Sequence, residues 1–396
     1  MKKIFDKLCK QYMLSVAAVV LLAACNKDVP EPTPVEKQTP ATGVTIADLI
    51  NTDPNFSLLK TAINRVPGLV QLLGDKDAQF TVFAPDDAAF QRSGINAATI
   101  NALPVQQLGA IMQYHIVGGQ RLTSAAITTA FPNVQLPTQL VLAPPSATLP
   151  PGLRMPLFPS KRGTASWINN IPLTAFDIAA ANGVIHKVAA ILAPPQQMLW
   201  ERIVADDDLD YLEAAVLRAD QATPSPGLQA ALSNPAANFT VFAPNDAAFQ
   251  QVLTGQITLA LMNMGVPAAQ AQAQATALAS TPAVFTNPAL ATVLTPTTVQ
   301  GLVVYHLLGA RAFTVNLPAT ATATPTLLNR GIPNHPGVTI QATFGTTGVT
   351  AATVKGAANQ TASNILINPT PAPGGTSDQH YVNGTLHVIN QVLLPQ

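Results

Sequence analysis

Charged residues are scarce in this sequence, which argues against a binding partner that is held mainly by charge. Lys, Arg, Asp and Glu together make up 10% of the 396 residues, against about 25% in ordinary soluble domains. The formal net charge is zero and no basic stripe interrupts the chain. Because nucleic acid is bound through basic surface, we expect no nucleic-acid partner.

Sequence motifs for catalysis and for cofactor binding are also lacking. The chain has no GxSxG elbow, no HExxH, no cysteine cluster and no phosphate loop of the GxxxxGK(S/T) or GxGxxG type. The aspartate-rich run at 206–210 resembles half of a calcium loop, but Leu217 stands where the terminal glutamate would be. We therefore expect no catalytic residue, no cofactor and no metal.

Only two cysteines are present, Cys9 and Cys25. Four lysines within the first ten residues precede a short apolar core, Met13–Ala24, which is too short for a typical membrane-spanning helix and suits a signal peptide. The core ends in LAAC, which resembles the bacterial lipobox. The resemblance implies removal of residues 1–24 and lipid on Cys25, leaving no disulfide. The alternative is an ordinary secretory signal with a chance cysteine.

The segment after Cys25 is rich in proline and has no apolar period, so residues 25–42 are predicted to be a semi-rigid tether. Asn26 follows the cysteine, where some bacteria use aspartate for retention in the inner membrane. By this resemblance we expect a lipid-anchored protein of the cell envelope, most simply at the outer membrane, on its surface or periplasmic face. The membrane is then a partner through lipidated Cys25.

The rest of the chain is an internal duplication. FTVFAPDDAAF at 80–90 returns as FTVFAPNDAAF at 239–249, and three further blocks recur in the same order. The offset grows from 153 residues (57 to 210) to 201 residues (182 to 383), so the second copy carries insertions. We expect one domain at 43–195 and another at 196–396. The insertion, at about 255–295, includes an Ala/Gln-rich run that favours an extra helix.

Each copy resembles the fasciclin domain. The blocks that carry the resemblance are TVFAP followed by two polar residues and AF, a Tyr-His pair in an apolar stretch, and a closing NGx(I/L)H. They cover nearly everything from about residue 44 to the end. The resemblance implies an α+β fold, with a wedge or sandwich of β-strands and several helices packed at one end. It also implies adhesion or extracellular interaction without catalysis.

The repeated polar residues have a structural interpretation. Asp86 and Asn245 follow a short buried strand and a proline, Pro85 or Pro244, where a helix should begin. Both are good N-cap residues because a side-chain oxygen can accept from the first-turn amides. The next residue in each copy is an aspartate, which the helix dipole favours. A catalytic or cation-binding carboxylate pair would need two ionisable groups, and Asn245 is not one.

Four of the six histidines, His115, His186, His306 and His387, occupy matched positions among apolar neighbours. This pattern predicts core histidines bonded to backbone or to a nearby asparagine. Asn182 and Asn383, each followed by glycine, predict tight turns before a buried last strand.

The Tyr-His pairs also have a functional interpretation, which comes only from the resemblance. In animal members of the family such as periostin, the Tyr-His region has been linked to integrin binding. The resemblance thus implies interaction residues at Tyr114, His115, Tyr305 and His306.

Surface specific to this chain is expected where the copies differ. The Pro/Thr/Ala-rich segments 136–159 and 317–326 are predicted as long loops. We expect an adhesion or interaction protein that binds a protein or matrix partner, because two tethered domains suit avidity. The alternative is an envelope accessory protein that binds a glycan or supports a neighbouring transporter or enzyme. Aromatic residues, at 5%, are few for a carbohydrate binder, and Trp167, after an apparent hairpin turn, is expected to be the more exposed tryptophan.

Overall fold

The computed structural model describes residues 42–142, 152–330, 332–345, 348–368 and 375–395. The signal peptide, Cys25 and all of the tether except Thr42 lie outside these residues. Both copies belong to one compact unit, 41–396. Within the described ranges, no helix combines the length and the apolarity that crossing a bilayer requires.

The first copy starts with helices whose apolar residues recur at helical spacing and face one core. In the second of them, for example, Leu59, Ala62 and Ile63 are the buried positions. The helices are α1 (Ile46–Thr52), α2 (Ser57–Arg65), α3 (Leu69–Gly74), α4 (Asp87–Arg92), α5 (Ala97–Ala102) and α6 (Val105–Tyr114), with a 3-10 turn at Pro54–Phe56.

The first copy also forms an eight-stranded sheet. Its strands are β1 (Phe80–Pro85), β2 (Ile116–Gly118), β3 (Leu136–Val141), β4 (Arg154–Leu157), β5 (Pro159–Arg162), β6 (Ala165–Ile168), β7 (Ile171–Ala180) and β8 (Gly183–Val188). Their order is β4-β3-β2-β1-β8-β7-β6-β5. Every neighbouring pair is antiparallel except β1 and β8, which run parallel.

The second copy repeats this plan, with one helix much longer and one helix added. They are α7 (Leu199–Val204), α8 (Asp210–Ala219), α9 (Leu228–Leu232), α10 (Asp246–Asn263), α11 (Ala268–Leu278) and α12 (Pro296–Tyr305), with 3-10 turns at Pro282–Thr286, Pro288–Leu290 and Thr314–Asn316. The strands are β9 (Phe239–Pro244), β10 (Leu307–Leu308), β11 (Thr322–Thr324), β12 (Val338–Phe344), β13 (Val349–Lys355), β14 (Ser363–Ile365), β15 (Gln379–Tyr381) and β16 (Gly384–Ile389). The sheet order is β10-β9-β16-β14-β13-β12-β11, and β15 also pairs with β16.

A parallel pair of interior strands in each sheet joins the two most similar blocks of the duplication. β1 pairs with β8 over six residues, and β9 pairs with β16 over six. All six residues of β1 are buried. Val82 packs among the helices, whereas Phe83 belongs to a second core on the other side of the sheet. A strand covered on both faces reads as a continuous apolar run, which explains the sequence of this block. The α+β class is confirmed.

Two expectations about the segments between the blocks have different outcomes. The helix expected in the insertion is α11, and it packs against α10, which has 18 residues where its counterpart α4 has six. The segment 136–159, in contrast, is not a simple loop, because it contains β3 and β4 and enters β5. Leu136 and Thr138 alternate with more exposed neighbours, and Met155 and Leu157 do the same on the facing strand. This period of two buries one face of a strand pair despite the prolines.

The two copies meet at a domain junction, which we define as Phe158 of the first copy with Arg311, Phe313 and His380 of the second. The Phe158 ring lies 5.8 Å from that of Phe313, and the Arg311 guanidinium carbon lies 4.7 Å from the centre of Phe158. The Asn133 amide donates to the Arg311 carbonyl at 3.2 Å. Phe158, Arg311 and Phe313 are at most 1% exposed and His380 is half-buried, so the junction is packed.

Candidate functional site

The repeated strand-to-helix corner is held by its first polar residue. Asp86 Oδ1 accepts from the Ala89 amide at 2.9 Å, and Asn245 Oδ1 accepts from the Ala248 amide at 3.1 Å. Both residues are N-caps with extended backbone, at the starts of α4 and α10. A cap needs only an oxygen acceptor, so aspartate and asparagine are equivalent here.

The second aspartate of each corner caps a different helix, which sequence reasoning missed. Asp87 accepts from the Leu58 amide at 2.8 Å and from the Ser57 hydroxyl at 2.6 Å, at the start of α2. Asp246 accepts from the Tyr211 amide at 3.1 Å, at the start of α8. Burial raises the pKa of Asp246, and three neighbouring aspartates raise it further. One signal was present: aspartate is retained at this position in both copies, while its predecessor varies.

Substitutions at this corner should separate the two capping roles. We expect Asp86→Ala and Asp87→Ala each to lower the free energy of unfolding by about 1 kcal/mol, because each removes the acceptor of a first-turn amide. Asp86→Asn should change it by less than about 0.5 kcal/mol, as the second copy already uses asparagine. Denaturant unfolding of the three variants measures this. A cost for Asp86→Asn equal to that of Asp86→Ala would show that charge, not capping, matters at this position.

The tyrosines of the Tyr-His pairs are core residues. Tyr114 and Tyr305 are both 0% exposed. The Tyr114 hydroxyl donates to the Pro156 carbonyl and accepts from Asn169 Nδ2, both at 3.3 Å, while the Tyr305 hydroxyl donates to the Gly337 carbonyl at 2.6 Å. Burial raises the pKa of both phenols. Each tyrosine hydroxyl thus bonds to residues of its own copy.

The adjoining histidines are equally buried, at 2% exposure each for His115 and His306. His115 Nδ1 donates to the Ile111 carbonyl at 2.8 Å, and its Nε2 accepts from the Leu192 amide at 3.0 Å. His306 makes the equivalent two bonds, both 2.8 Å long. A carbonyl only accepts and an amide only donates, so these bonds define a neutral ring with its proton on Nδ1. Burial lowers the pKa of each histidine to about 4.

This burial corrects the interaction role that the resemblance implied for Tyr114, His115, Tyr305 and His306. None of the four side chains offers surface to a partner, and every polar atom discussed above has a partner within the same copy. The Tyr-His pair instead joins the end of a helix to the last segment of its domain, through Leu192 in the first copy. Direct recognition through these side chains does not fit the folded chain.

The Asn-Gly pairs join helices to the final strand. Asn182 Oδ1 accepts from the first amide of α1 at 2.9 Å, and its Nδ2 donates to the carbonyls of Leu73 and Asp75 at 2.8 Å each. Asn383 accepts from the first amide of α7 and donates to the last carbonyl of α9. The hairpin turn expected here is present, but its loop residues are Ala181 and Asn182 in the first copy.

The glycines after these asparagines allow two strands to approach closely, and they are not part of the turn itself. A Cβ on Gly183 would lie 2.1 Å from the Phe80 carbonyl oxygen, and one on Gly384 would lie 2.7 Å from that of Phe239. Both contacts are shorter than real Cβ atoms make. Glycine is required because the final strand runs directly beside β1 or β9.

The histidines of the final strand are also fully buried, at 0% exposure. His186 lies 5.6 Å from Phe83, ring centre to ring centre, and its Nε2 donates to the Leu122 carbonyl at 2.7 Å. The Asp177 amide donates to its Nδ1 at 3.3 Å. His387 has the same pair of bonds, and burial lowers the pKa of both rings. Within the described ranges, no three His, Cys, Asp or Glu side chains are grouped as a metal ion would need.

A cavity of about 360 Å³ lies between the copies and is one of several on the described surface. We call it the domain cleft and define it by Arg162, Trp167 and Pro172 of the first copy and Phe344 of the second. Trp167, singled out from sequence as a candidate, is half-buried in its wall. The sequence showed Arg162 only as part of a turn, because Phe344, which it contacts, lies 182 residues further along the chain.

The comparisons with known proteins agree with the internal duplication. The family model for the fasciclin domain matches residues 54–194 and 218–395. Transforming growth factor-beta-induced protein ig-h3 of Sus scrofa is 29% identical over 179 residues, 45% of this chain and 23% of that protein. The match thus spans about a quarter of that relative's length. Immunogenic protein MPB70 of Mycobacterium bovis is 28% identical over 156 residues, 38% of this chain and 69% of that protein.

A solved structure is also similar, the FAS1 domain pair from the insect cell adhesion molecule Fasciclin I. It shares 16% identity and a TM-score of 0.32, over 80% of this chain and 88% of that one. The family assignment rests on the two ranges of the family model, which together cover well over half of the residues. The chain belongs to the fasciclin domain family and carries two copies of the domain in tandem.

Proposed function

We propose that this protein is a non-catalytic interaction module of the adhesion type, anchored to the cell envelope by lipid on Cys25. The observation that carries the proposal is the tandem match to the fasciclin domain. Adhesion or extracellular interaction is the role that membership of this family implies. The lipobox-like LAAC and the basic, apolar N-terminus support the anchor.

The disposition of reactive side chains supports a binding role. His115, His186, His306 and His387 are buried and bonded to backbone. A general acid or base must reach the proton that it transfers, and these rings have no access to a substrate. The surface that differs between the copies, including α11 and the domain cleft, is available to a ligand.

Cells that carry the full chain test the anchor and the adhesive role together. We expect Cys25→Ser to release the protein from the membrane fraction and to reduce cell attachment to surfaces coated with matrix proteins or glycans at least tenfold. Cys9→Ser is the matched control, because that cysteine lies in the predicted signal and should change neither readout. Membrane retention of the Cys25→Ser protein would refute the anchor. Attachment that does not depend on the protein at all would refute the adhesive role.

A further inference from the structure

The domain cleft contains a cation that no acidic side chain neutralises. The Arg162 guanidinium carbon lies 3.3 Å above the centre of the Phe344 ring, so the plane of the guanidinium is supported by an aromatic face. Its Nη2 donates to the Leu317 carbonyl at 2.7 Å. In the described part of the chain, the two ion pairs join Lys187 to Asp53 and Arg202 to Asp206. The positive charge of Arg162 is therefore available to an anion.

Donor groups on the same face of the sheet also lack acceptors. Arg162 Nε and Ser160 Oγ are buried without a hydrogen-bond partner among the described residues. Ser160 is paired with Trp167 in the β5–β6 register, and Trp167 with Pro172 in the β6–β7 register. Paired residues of antiparallel strands point to one face, so these residues and Arg162 share a face. Buried polar groups are normally satisfied, so Arg162, which lines the cleft, is suited to an oxygen acceptor, whereas Ser160 is fully buried beneath it and does not line the cavity.

The wall beside the cation is flat and apolar. Trp167 is half-buried and the paired Pro172 is exposed, so both present surface to the cavity. The face of an indole carries negative π density, which attracts the polarised C–H groups of a sugar ring. The volume of about 360 Å³ falls within the range of small-ligand sites, about 300–1,000 Å³.

We propose that the domain cleft binds a carboxylate-bearing sugar, that is, a uronic acid unit of an acidic glycan. The carboxylate pairs with the planar fork of Arg162, which matches carboxylate geometry, and the ring stacks on Trp167. The proposal deepens the proposed function by naming the ligand class of the interaction module, and it rests on that function for its biological setting.

Two other ligand classes fit the cleft less well. A polyphosphate or nucleic acid would need several cations, and Arg162 is the one cationic side chain that lines the described cleft. An extended peptide would add to a free strand edge. The edge strand on this side, β5, already lies against the Thr314–Asn316 turn of the second copy. A sugar needs neither feature.

Tryptophan fluorescence provides a direct test, because the chain has only two tryptophans. In the full chain with Trp200→Phe, Trp167 is the single reporter. We expect the trimer of galacturonic or glucuronic acid to change its emission saturably. The fully methyl-esterified trimer, which has the same rings without charge, should bind at least tenfold more weakly. Acetate alone should produce no saturable change, which separates sugar recognition from simple anion binding.

Variants identify the residues responsible. Arg162→Gln should weaken binding of the acidic trimer at least tenfold, and Arg162→Lys should recover part of it because the charge returns without the fork. Arg92→Gln, at an exposed arginine outside the cleft, is the matched control and should bind as the parent does. For Trp167→Ala the readout is calorimetry, with loss of binding expected. Unchanged thermal unfolding midpoints show that the variants are folded.

The failure of this inference can be distinguished from failure of the proposed function. Lack of saturable binding by galacturonic, glucuronic and mannuronic acid trimers at concentrations up to about 10 mM overturns the cleft proposal. Equal binding of acidic and esterified trimers overturns it as well. If acidic trimers bind but cells attach independently of the protein, the adhesive role fails and the cleft proposal stands.

Discussion

Acidification from pH 7 to pH 5 should lower the free energy of unfolding by about 4 kcal/mol through His115 and His306 alone. Burial lowers the pKa of each to about 4, whereas an unfolded histidine titrates near 6.5. The unfolded chain therefore binds more protons between these values. Stability from the neutral rings is fully present above about pH 7 and is lost as the pH falls through 6.5 towards 4.

The total effect of pH is larger still, because three further histidines act in the same direction. Burial also lowers the pKa of His186, His387 and His380, and for His380 the charge of Arg311 adds to the effect. Single domains are stable by about 5–15 kcal/mol. Together, these histidines can thus remove a large share of that stability by about pH 5.

Proton uptake on unfolding measures this effect without an assumption about two-state behaviour. We expect the parent chain to take up at least two protons when denaturant unfolds it at pH 5.5, and almost none at pH 8. A His115→Gln/His306→Gln double variant should take up about two protons fewer near pH 5.2, midway between the folded and unfolded pKa values, where the difference is largest. A flat stability profile between pH 7 and pH 5 would contradict the neutral assignment. So would unchanged proton uptake in the double variant.

Replacement of Arg311 by methionine should lower the free energy of unfolding by about 3 kcal/mol. Arg311 is 1% exposed and donates to Asn238 Oδ1 at 3.0 Å, to His380 Nε2 at 2.8 Å, and to the carbonyls of Tyr381 and Val382 at 3.1 Å each. Burial lowers its pKa to about 9, so the group is charged at pH 7. Methionine fills similar volume but leaves two buried carbonyls and two half-buried acceptors without this donor, which is costly.

The first copy contains a matched control for this substitution. Arg121 donates to the carbonyls of Ala180 and Ala181 at 2.6 and 3.1 Å, the same two positions before the Asn-Gly pair, but it is exposed. Water can replace the lost bonds there, so Arg121→Met should cost less than about 1 kcal/mol. Denaturant unfolding of both variants makes the comparison. Equal costs would mean that the junction over Arg311 does not exclude water.

The local features of this fold could be predicted from sequence because each depends on neighbouring residues. Asp86 and Asn245 cap the helices that follow them, since the acceptor and the amide are three residues apart. Their neighbours Asp87 and Asp246 could be placed near a helix start but not assigned a partner. The backbone amides that they cap lie 29 and 35 residues upstream, at the starts of other helices. Only the packing of the helices brings each aspartate to its amide.

The Tyr-His pairs show the limit of carrying a role over from a family. The apolar neighbours of His115 and His306 correctly indicated core residues, whereas the resemblance indicated a contact surface. Burial decided between the two interpretations, because both rings bond to the backbone at the ends of their domains. The candidate site lies instead where the copies meet, and no local sequence pattern predicts a site between two domains.

By itself, the sequence determined that this chain is a tandem of two similar α+β domains, since turns, caps and apolar periods are short-range properties that repeat visibly. Only the tertiary structure decided which side of each domain is covered by the other. Arg121 and Arg311 bond to equivalent carbonyls, yet Phe158 of the first copy covers Arg311, whereas Arg121 is exposed. The same packing sets Arg162 on Phe344. Contacts between residues so far apart in the chain depend on the docking of two complete domains, which no local propensity encodes.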